Sequence, residues 1–416
     1  MWNKTRYILL MISFAFIICG VSIYTFFIKE QDTVSLFENR NLAVKESVAN
    51  SSFFDKTLQD SLENVLADQF INRQEIVEIK KQFDRDVELF VYGQNTDDLK
   101  LTKMGDTNVY QLGSSRYMMN GLMPYDERIE KCIINRIEQM NELAEDYPNL
   151  EFYLYRPMQG HETSIFDEVN EVESYGQYYN DLFKEKSEIP VAFLEIEDID
   201  AYKEMFYSSD HHWNYRGSYQ GYVDIMTLMN MEDEILEPES IFCNEGATFY
   251  GTFSTRTANV LEPDEYCIYD INYDEVKMYA GEELVEDIKN PKYYIEHAEE
   301  FREKPYGYHY NYTSHQYTPY MMLETDNTDK ENILVIGDSY ARAIAHYMAS
   351  AFHKSYFVNP GDYLSATYKF FNYDEFLETH DVDKVLFMYT IENYFAVDKE
   401  WGDVYKNYDV YRKVVD

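Results

Sequence analysis

Three short apolar runs constrain this chain more than any other feature: Phe152-Tyr153-Leu154-Tyr155, Ile333-Leu334-Val335-Ile336 and Val385–Tyr389. Each is too short for a buried helix and lacks polar alternation, so each reads as a strand covered on both faces. Helical periodicity flanks them. A helix from about Asp126 to Ala144 carries Ile129, Ile133, Ile137, Met140 and Leu143 on one face, and Pro148 stops it. Further helices are expected at Tyr175–Lys186, Tyr215–Met229, Ala341–Phe352 and Asp374–Thr379, with strands at Val191–Leu194 and Tyr356–Val358. Strands alternating with helices predict a three-layer α/β fold built on a largely parallel sheet.

The rhythm lapses between about residues 231 and 332, which read as a strand-rich insertion. There Tyr306, Tyr308, Tyr310 and Tyr312 alternate, as in a strand with one aromatic face. Such a face serves either core packing or sugar stacking. Upstream, residues 29 to 50 lack periodicity and read as an extended segment. From Phe54 the apolar positions Leu58, Leu62, Val65, Leu66 and Phe70, then Ile76, Ile79, Phe83, Val87 and Phe90, mark amphipathic helices expected to pack on the main domain.

From Tyr7 to Ile28 there is no charged residue. As a helix rising about 1.5 Å per residue this run spans about 33 Å, the depth of a bilayer core. Lys4 and Arg6 precede it, which places the N-terminus in the cytoplasm and everything after residue 28 outside. A cleaved signal peptide ends in small residues, whereas this run ends Thr25-Phe26-Phe27, so an uncleaved anchor is expected. The Cys19-Gly20 pair raises a lipoprotein alternative, but Phe16-Ile17-Ile18 lacks the small residues such a site needs. The expected organisation is therefore a cytoplasmic tail (1–6), a transmembrane anchor (7–28), the extended segment with its helices (29–95) and the α/β domain (96–416). Outside the span, Cys132, Cys243 and Cys267 permit at most one disulfide.

The formal net charge is −40, from 36 basic and 76 acidic residues. That surplus repels phosphate backbones and argues against a nucleic-acid partner. Aromatic residues make up 17% of the chain, more than a disordered acidic protein carries.

Two segments are equipped for chemistry. Gly337-Asp338-Ser339 follows an apolar strand and opens a helix, which exposes a serine hydroxyl at the carboxyl edge of a parallel sheet, where ligands collect. Its backbone N–H points where an oxyanion would form. A capping role for Asp338 or Ser339 is the alternative. The second segment is Ser208-Ser209-Asp210-His211-His212-Trp213-Asn214. A serine needs an imidazole to take its proton, and the imidazole needs a carboxylate to orient it. Residues two apart in extended chain share a face, so Asp210 and His212 pair while His211 points away. Asn214 is placed to cap the next helix, and Trp213 to pack beneath the loop. Asp210, His211, His212 and a distant His161 also raise a zinc site, but consecutive histidines converge poorly and no H-E-x-x-H spacing exists. No metal or cofactor is expected. Arg342, three residues after Ser339, and Arg156, at a strand end, are candidates for substrate or oxyanion contacts along with Asn214; Glu392 and Asn393 follow the last strand.

Asp210-His211-His212-Trp213, preceded by Phe37–Ala43 and Asp68–Arg73 and followed by Gly337-Asp338-Ser339, resembles the DHHW proteins. That family is similar to the alginate O-acetylation proteins of the SGNH-hydrolase-like superfamily. The resemblance covers most of the chain after the anchor. It implies an SGNH-hydrolase-like fold and a triad of Ser339 as nucleophile, His212 as base and Asp210 as its orienting carboxylate. It also implies acetyl transfer to a polysaccharide outside the membrane, with a multi-pass membrane acyltransferase as donor. A carbohydrate esterase using the same triad and a non-catalytic envelope scaffold are the rival readings. The chain departs from the alginate proteins in its acidity and in its Tyr-rich insertion.

Overall fold

In the computed structural model the described residues are 2–35, 40–49, 51–52, 57–92, 99–257, 263–285, 291–297 and 319–394. The tyrosines at 306, 308, 310 and 312, part of the Phe37–Ala43 motif and the C-terminal tail lie outside them.

Helix Trp2–Ile23 comes first. Its side chains from Tyr7 to Leu10 are exposed. Among the described residues, no helix is long and apolar enough to cross a membrane. A two-residue ladder, β1 (Val34–Ser35) with β2 (Arg40–Asn41), leads to helices Thr57–Asp68 and Arg73–Tyr92. Asp68 and Gln69 bind the extended segment: Ala43 N–H donates to Asp68 Oδ2 at 2.8 Å, and the Gln69 amide donates to the carbonyls of Asp32 and Ala43. The second helix departs from expectation. Ile76, Ile79, Phe83, Val87 and Phe90 are exposed rather than packed on the main domain.

A small antiparallel sheet of β3 (Leu101–Lys103), β4 (Val109–Leu112) and β5 (Met118–Asn120) precedes the main domain. The main sheet takes β6 (Glu151–Arg156) and β7 (Val191–Phe193). After a separate hairpin, β8 (Ser240–Phe249) with β9 (Asp264–Asp270), it adds β10 (Lys277–Ala280), β11 (Glu283–Leu284), β12 (Met321–Glu324), β13 (Asn332–Gly337), β14 (Lys354–Val358) and β15 (Lys384–Met388). The order across the eight strands is β11-β10-β12-β14-β13-β15-β6-β7. From β14 to β7 all neighbours are parallel, while β10, β11 and β12 join antiparallel.

β13 and β15 are buried at every position, as central strands of a covered sheet must be. Their side chains alternate between two layers with period two. Ile333, Val335, Leu386 and Met388 pack with Ile344, Met348, Tyr222 and Trp213. Leu334, Ile336, Val385 and Phe387 pack with Ile133, Ile137, Phe183 and Phe376. This is the expected three-layer arrangement, and helices Glu127–Asp146, Gly176–Lys186, Tyr215–Leu228, Tyr340–Ala349 and Tyr373–Thr379 occupy the outer layers. The strand-rich stretch from 231 to 332 is divided: β8 and β9 stand apart, whereas β10, β11 and β12 extend the main sheet.

Candidate active site

β13 ends at Gly337, where a Cβ would lie 2.6 Å from the carbonyl of Met388 on β15. Only glycine lets the two strand ends stay this close while the chain turns. Asp338 then acts as the helix cap: Oδ1 accepts from Tyr340 N–H at 3.0 Å, and Oδ2 accepts from Thr390 N–H, Thr390 Oγ1 and the Asn393 amide at 2.8, 2.8 and 2.7 Å. Ser339, the first residue past the turn, makes no side-chain cap bond. Its Oγ lies 2.6 Å from His212 Nε2.

The histidine arrives from elsewhere in the chain. Asp210 Oδ1 lies 2.5 Å from His212 Nδ1 and accepts the His212 backbone N–H at 3.0 Å, while Oδ2 accepts Thr252 N–H at 2.7 Å. Three residues thus form a continuous hydrogen-bonded line from carboxylate to imidazole to hydroxyl, with Asp210 and His212 buried. His211 does not point away as expected: residues 208–212 bend rather than run extended, so its ring lies 3.9 Å, centroid to centroid, from that of His212, while its Nδ1 meets Thr252 Oγ1 at 2.8 Å and its carbonyl accepts the Tyr340 hydroxyl. Burial, followed by the adjoining His212, pushes its pKa down to about 4, so it is uncharged near neutral pH. Trp213 is fully buried beneath the loop.

Periodicity offered no hint of what holds this loop. Asp264, on β9, accepts from the backbone N–H and hydroxyl of Ser208 at 3.1 and 2.7 Å and of Ser209 at 2.8 and 2.5 Å. Arg116 bridges Asp264 Oδ1 and Ser208 Oγ, each at 2.7 Å. Gly251 backs the loop so closely that a Cβ there would meet Asp210 Cβ at 2.3 Å. A disulfide between Cys243 and Cys267 joins β8 to β9, while Cys19 and Cys132 are free. None of these carries a local signature; only the cysteines could have flagged the hairpin.

The remaining candidates scatter. Asn214 caps helix Tyr215–Leu228, its Oδ1 accepting from the N–H groups of Arg216 and Gly217, and its amide N–H donates to the carbonyls of Glu204 and Phe206, so the donors an oxyanion would need are engaged elsewhere. Arg156 is buried, paired with Glu162 and lying 4.8 Å from the Phe183 ring. Burial among these partners replaces the expected substrate contact with a structural one. Arg342 pairs with Asp362 at 2.6 Å and borders a cavity of about 30 Å³ that also touches Gly337, Asp338, Ala341 and Phe357. Glu392, just past β15, pairs with buried His161 from the loop after β6, Oε1 to Nε2 at 3.0 Å. Burial opposes the charge on Glu392, but the His161 field and hydrogen bond outweigh it and hold the carboxyl down to about 2.

One ligand atom each from Asp210, His211 and His212 lies within 4.8 Å of the others, close enough to share an ion. Both ring nitrogens of His212 and Nδ1 of His211 already have hydrogen-bond partners, so a metal would have to displace that line.

No protein-family model and no curated protein sequence matches the chain. Solved structures do. Bacillus cereus PatB1 with a sulfonyl adduct superposes with a TM-score of 0.51 at 16% identity, over 68% of this chain and 95% of that one. A second PatB1 structure gives 0.51 at 18% identity, over 68% and 96%. A DHHW family protein from Eubacterium siraeum gives 0.52 at 15% identity, over 70% of this chain and 94% of its own. The chain shares their fold.

Proposed function

We propose that this protein is an extracytoplasmic O-acyltransferase that moves an acyl group, most simply acetyl, onto a polysaccharide hydroxyl through Ser339, His212 and Asp210. The observation that carries the reading is the line from Asp210 Oδ1 through His212 to Ser339 Oγ, at 2.5 and 2.6 Å. His212 takes the proton of Ser339 as Oγ attacks the acyl carbonyl, and Asp210 stabilises the imidazolium. The imidazolium returns that proton to the departing donor group, leaving an acyl-serine. An acceptor hydroxyl then gives its proton to His212, attacks the ester and releases Ser339. The Ser339 N–H, at the start of helix Tyr340–Ala349, faces the developing oxyanion.

Other observations support the reading. PatB1, of the same fold, was solved with a sulfonyl adduct, a group that an activated nucleophile takes up. The charge-free run of residues 7–28 and the exposed apolar side chains of helix Trp2–Ile23 support membrane anchoring; a multi-pass membrane acyltransferase as donor rests on the DHHW resemblance alone.

The test is incubation with an activated acetyl ester. Wild type should show a burst and a one-acetyl mass increase located at Ser339, and Ser339→Ala neither. Absence of both from folded wild type would sink the enzyme reading. With an adduct in hand, added glycans separate transfer from hydrolysis.

A further inference from the structure

Three tyrosines gather on the same sheet edge as Ser339. Helix Glu127–Asp146 runs toward the amino end of β6, so Tyr125, just before it, stands at the carboxyl end of the sheet. Tyr175 and Tyr178 lie at the start of helix Gly176–Lys186, which follows the loop leaving β6 at that same end. Their ring centroids are 5.5, 5.9 and 6.3 Å apart and their planes cross at 51°, 73° and 79°, an edge-to-face cluster that offers a sugar one ring face at a time. Tyr125 is 49% exposed and Tyr178 38%.

The rings are held. Glu130 accepts both the Tyr125 and the Tyr178 hydroxyls, at 2.8 and 2.7 Å, and Glu173 accepts that of Tyr175 at 2.8 Å. Exposed aromatic side chains fixed by hydrogen bonds lose little entropy when something stacks on them. The cluster is also tied to the catalytic turn. Tyr175 N–H donates to Met123 O and Met123 N–H to His161 O; His161 pairs with Glu392, whose neighbour Asn393 bonds Asp338. β6 stands two strand spacings from β13, about 10 Å, and the tyrosines belong to the helix layer packed beside β6, so the gap to Ser339 exceeds that spacing and only a chain of several sugars would span it.

We infer that Tyr125, Tyr175 and Tyr178 form an acceptor subsite on which a neutral, equatorially linked glycan stacks while a hydroxyl further along the chain reaches Ser339. Such sugars present flat C–H faces to aromatic rings. An anionic polymer would instead meet Glu127, Glu130 and Glu173 on a chain of net charge −40. The inference rests on the acyl-transfer reading and supplies its acceptor class.

The test uses full-length protein in detergent, comparing wild type, Tyr125→Ala/Tyr178→Ala and Tyr125→Phe/Tyr178→Phe. Acceptors are glucose and its β-1,4-linked hexamer, with polygalacturonate as competitor. All three proteins should give the same acyl-enzyme burst and the same transfer to glucose. The KM for the hexamer should rise about ten-fold in the alanine pair, the loss of one or two stacking contacts, and by no more than about three-fold in the phenylalanine pair, which keeps the rings but loses the Glu130 hydrogen bonds that hold them. Polygalacturonate should not compete. An unchanged hexamer KM in the alanine pair, a wild type that treats glucose and hexamer alike, or effective competition by polygalacturonate would overturn the inference. If wild type forms no Ser339 adduct, the transfer reading fails instead. Calorimetric binding of the hexamer to Ser339→Ala, with and without the tyrosine pair, then decides the subsite alone: binding that depends on the tyrosines upholds it, and binding that does not, or none, overturns it.

Discussion

At the scale of single residues, Asp210 and Gly251 carry the sharpest consequences. Asp210→Asn keeps the shape but removes the charge that holds His212 in its tautomer, so acylation by the activated ester should fall by about 10⁴, with little change in melting temperature. Gly251→Ala would drive a methyl group into Asp210 and the Ser209 carbonyl; it should cost activity well before it costs secondary structure, read as acylation rate against far-UV circular dichroism. Glu392 and His161 give a pH signature. The Glu392 carboxyl, held near 2, contributes stability that is present above its unfolded value of about 4.3 and is lost as pH falls toward 2. His161, with its pKa raised because Glu392 outweighs the opposing effect of burial, contributes stability that is complete below about 6.5 and is lost as pH rises through its folded value. The melting-temperature gap between wild type and Glu392→Gln should therefore be widest between about pH 4.3 and 6.5, and a flat gap would disprove the pairing. The residue types of the triad were legible in the sequence because Asp-x-His and Gly-Asp-Ser are local patterns. The fates of Arg156 and Asn214 were not, because a buried arginine and a cap read the same as site residues until their partners are known.

At the scale of elements, the β8–β9 hairpin holds the loop that carries Asp210 and His212. Its strand β9 supplies Asp264, and the connection supplies Gly251 and Thr252. Cys243 and Cys267 lie opposite each other across it. Replacing both by serine should destabilise this region by about 3 kcal/mol and lower turnover per folded molecule, measured as burst rate with the burst amplitude as the count of intact sites. Asp264→Ala should slow acylation more than Asp264→Asn, which still offers one acceptor oxygen to the two serines. The helices and strands of the main domain were legible to within a few residues, because their periodicities are set by backbone geometry. The expected packing of helix Arg73–Tyr92 was not realised: a stripe at helical spacing shows that a face is apolar, and says nothing of what lies opposite.

For the whole molecule, charge and topology act together. If residues 7–28 anchor the chain, full-length protein should sediment with membranes, and removal of residues 1–28 should release it while leaving the Ser339 burst unchanged. Loss of the burst would tie the helix to folding instead. The parallel order β14-β13-β15-β6 brings the ends of three strands to one edge, so that Ser339, Glu392 and His161 meet there although they come from distant segments. By itself the sequence determined the three-layer α/β class, the serine turn and the Asp-x-His element, since each depends on residues close along the chain. Only the tertiary structure decided that His212 lies beside Ser339, 127 residues away, and that Asp264, Thr252 and Gly251 hold it there. Strand order and hairpin placement govern those contacts, and both are settled by burial and hydrogen bonding over the whole chain, which no local pattern encodes.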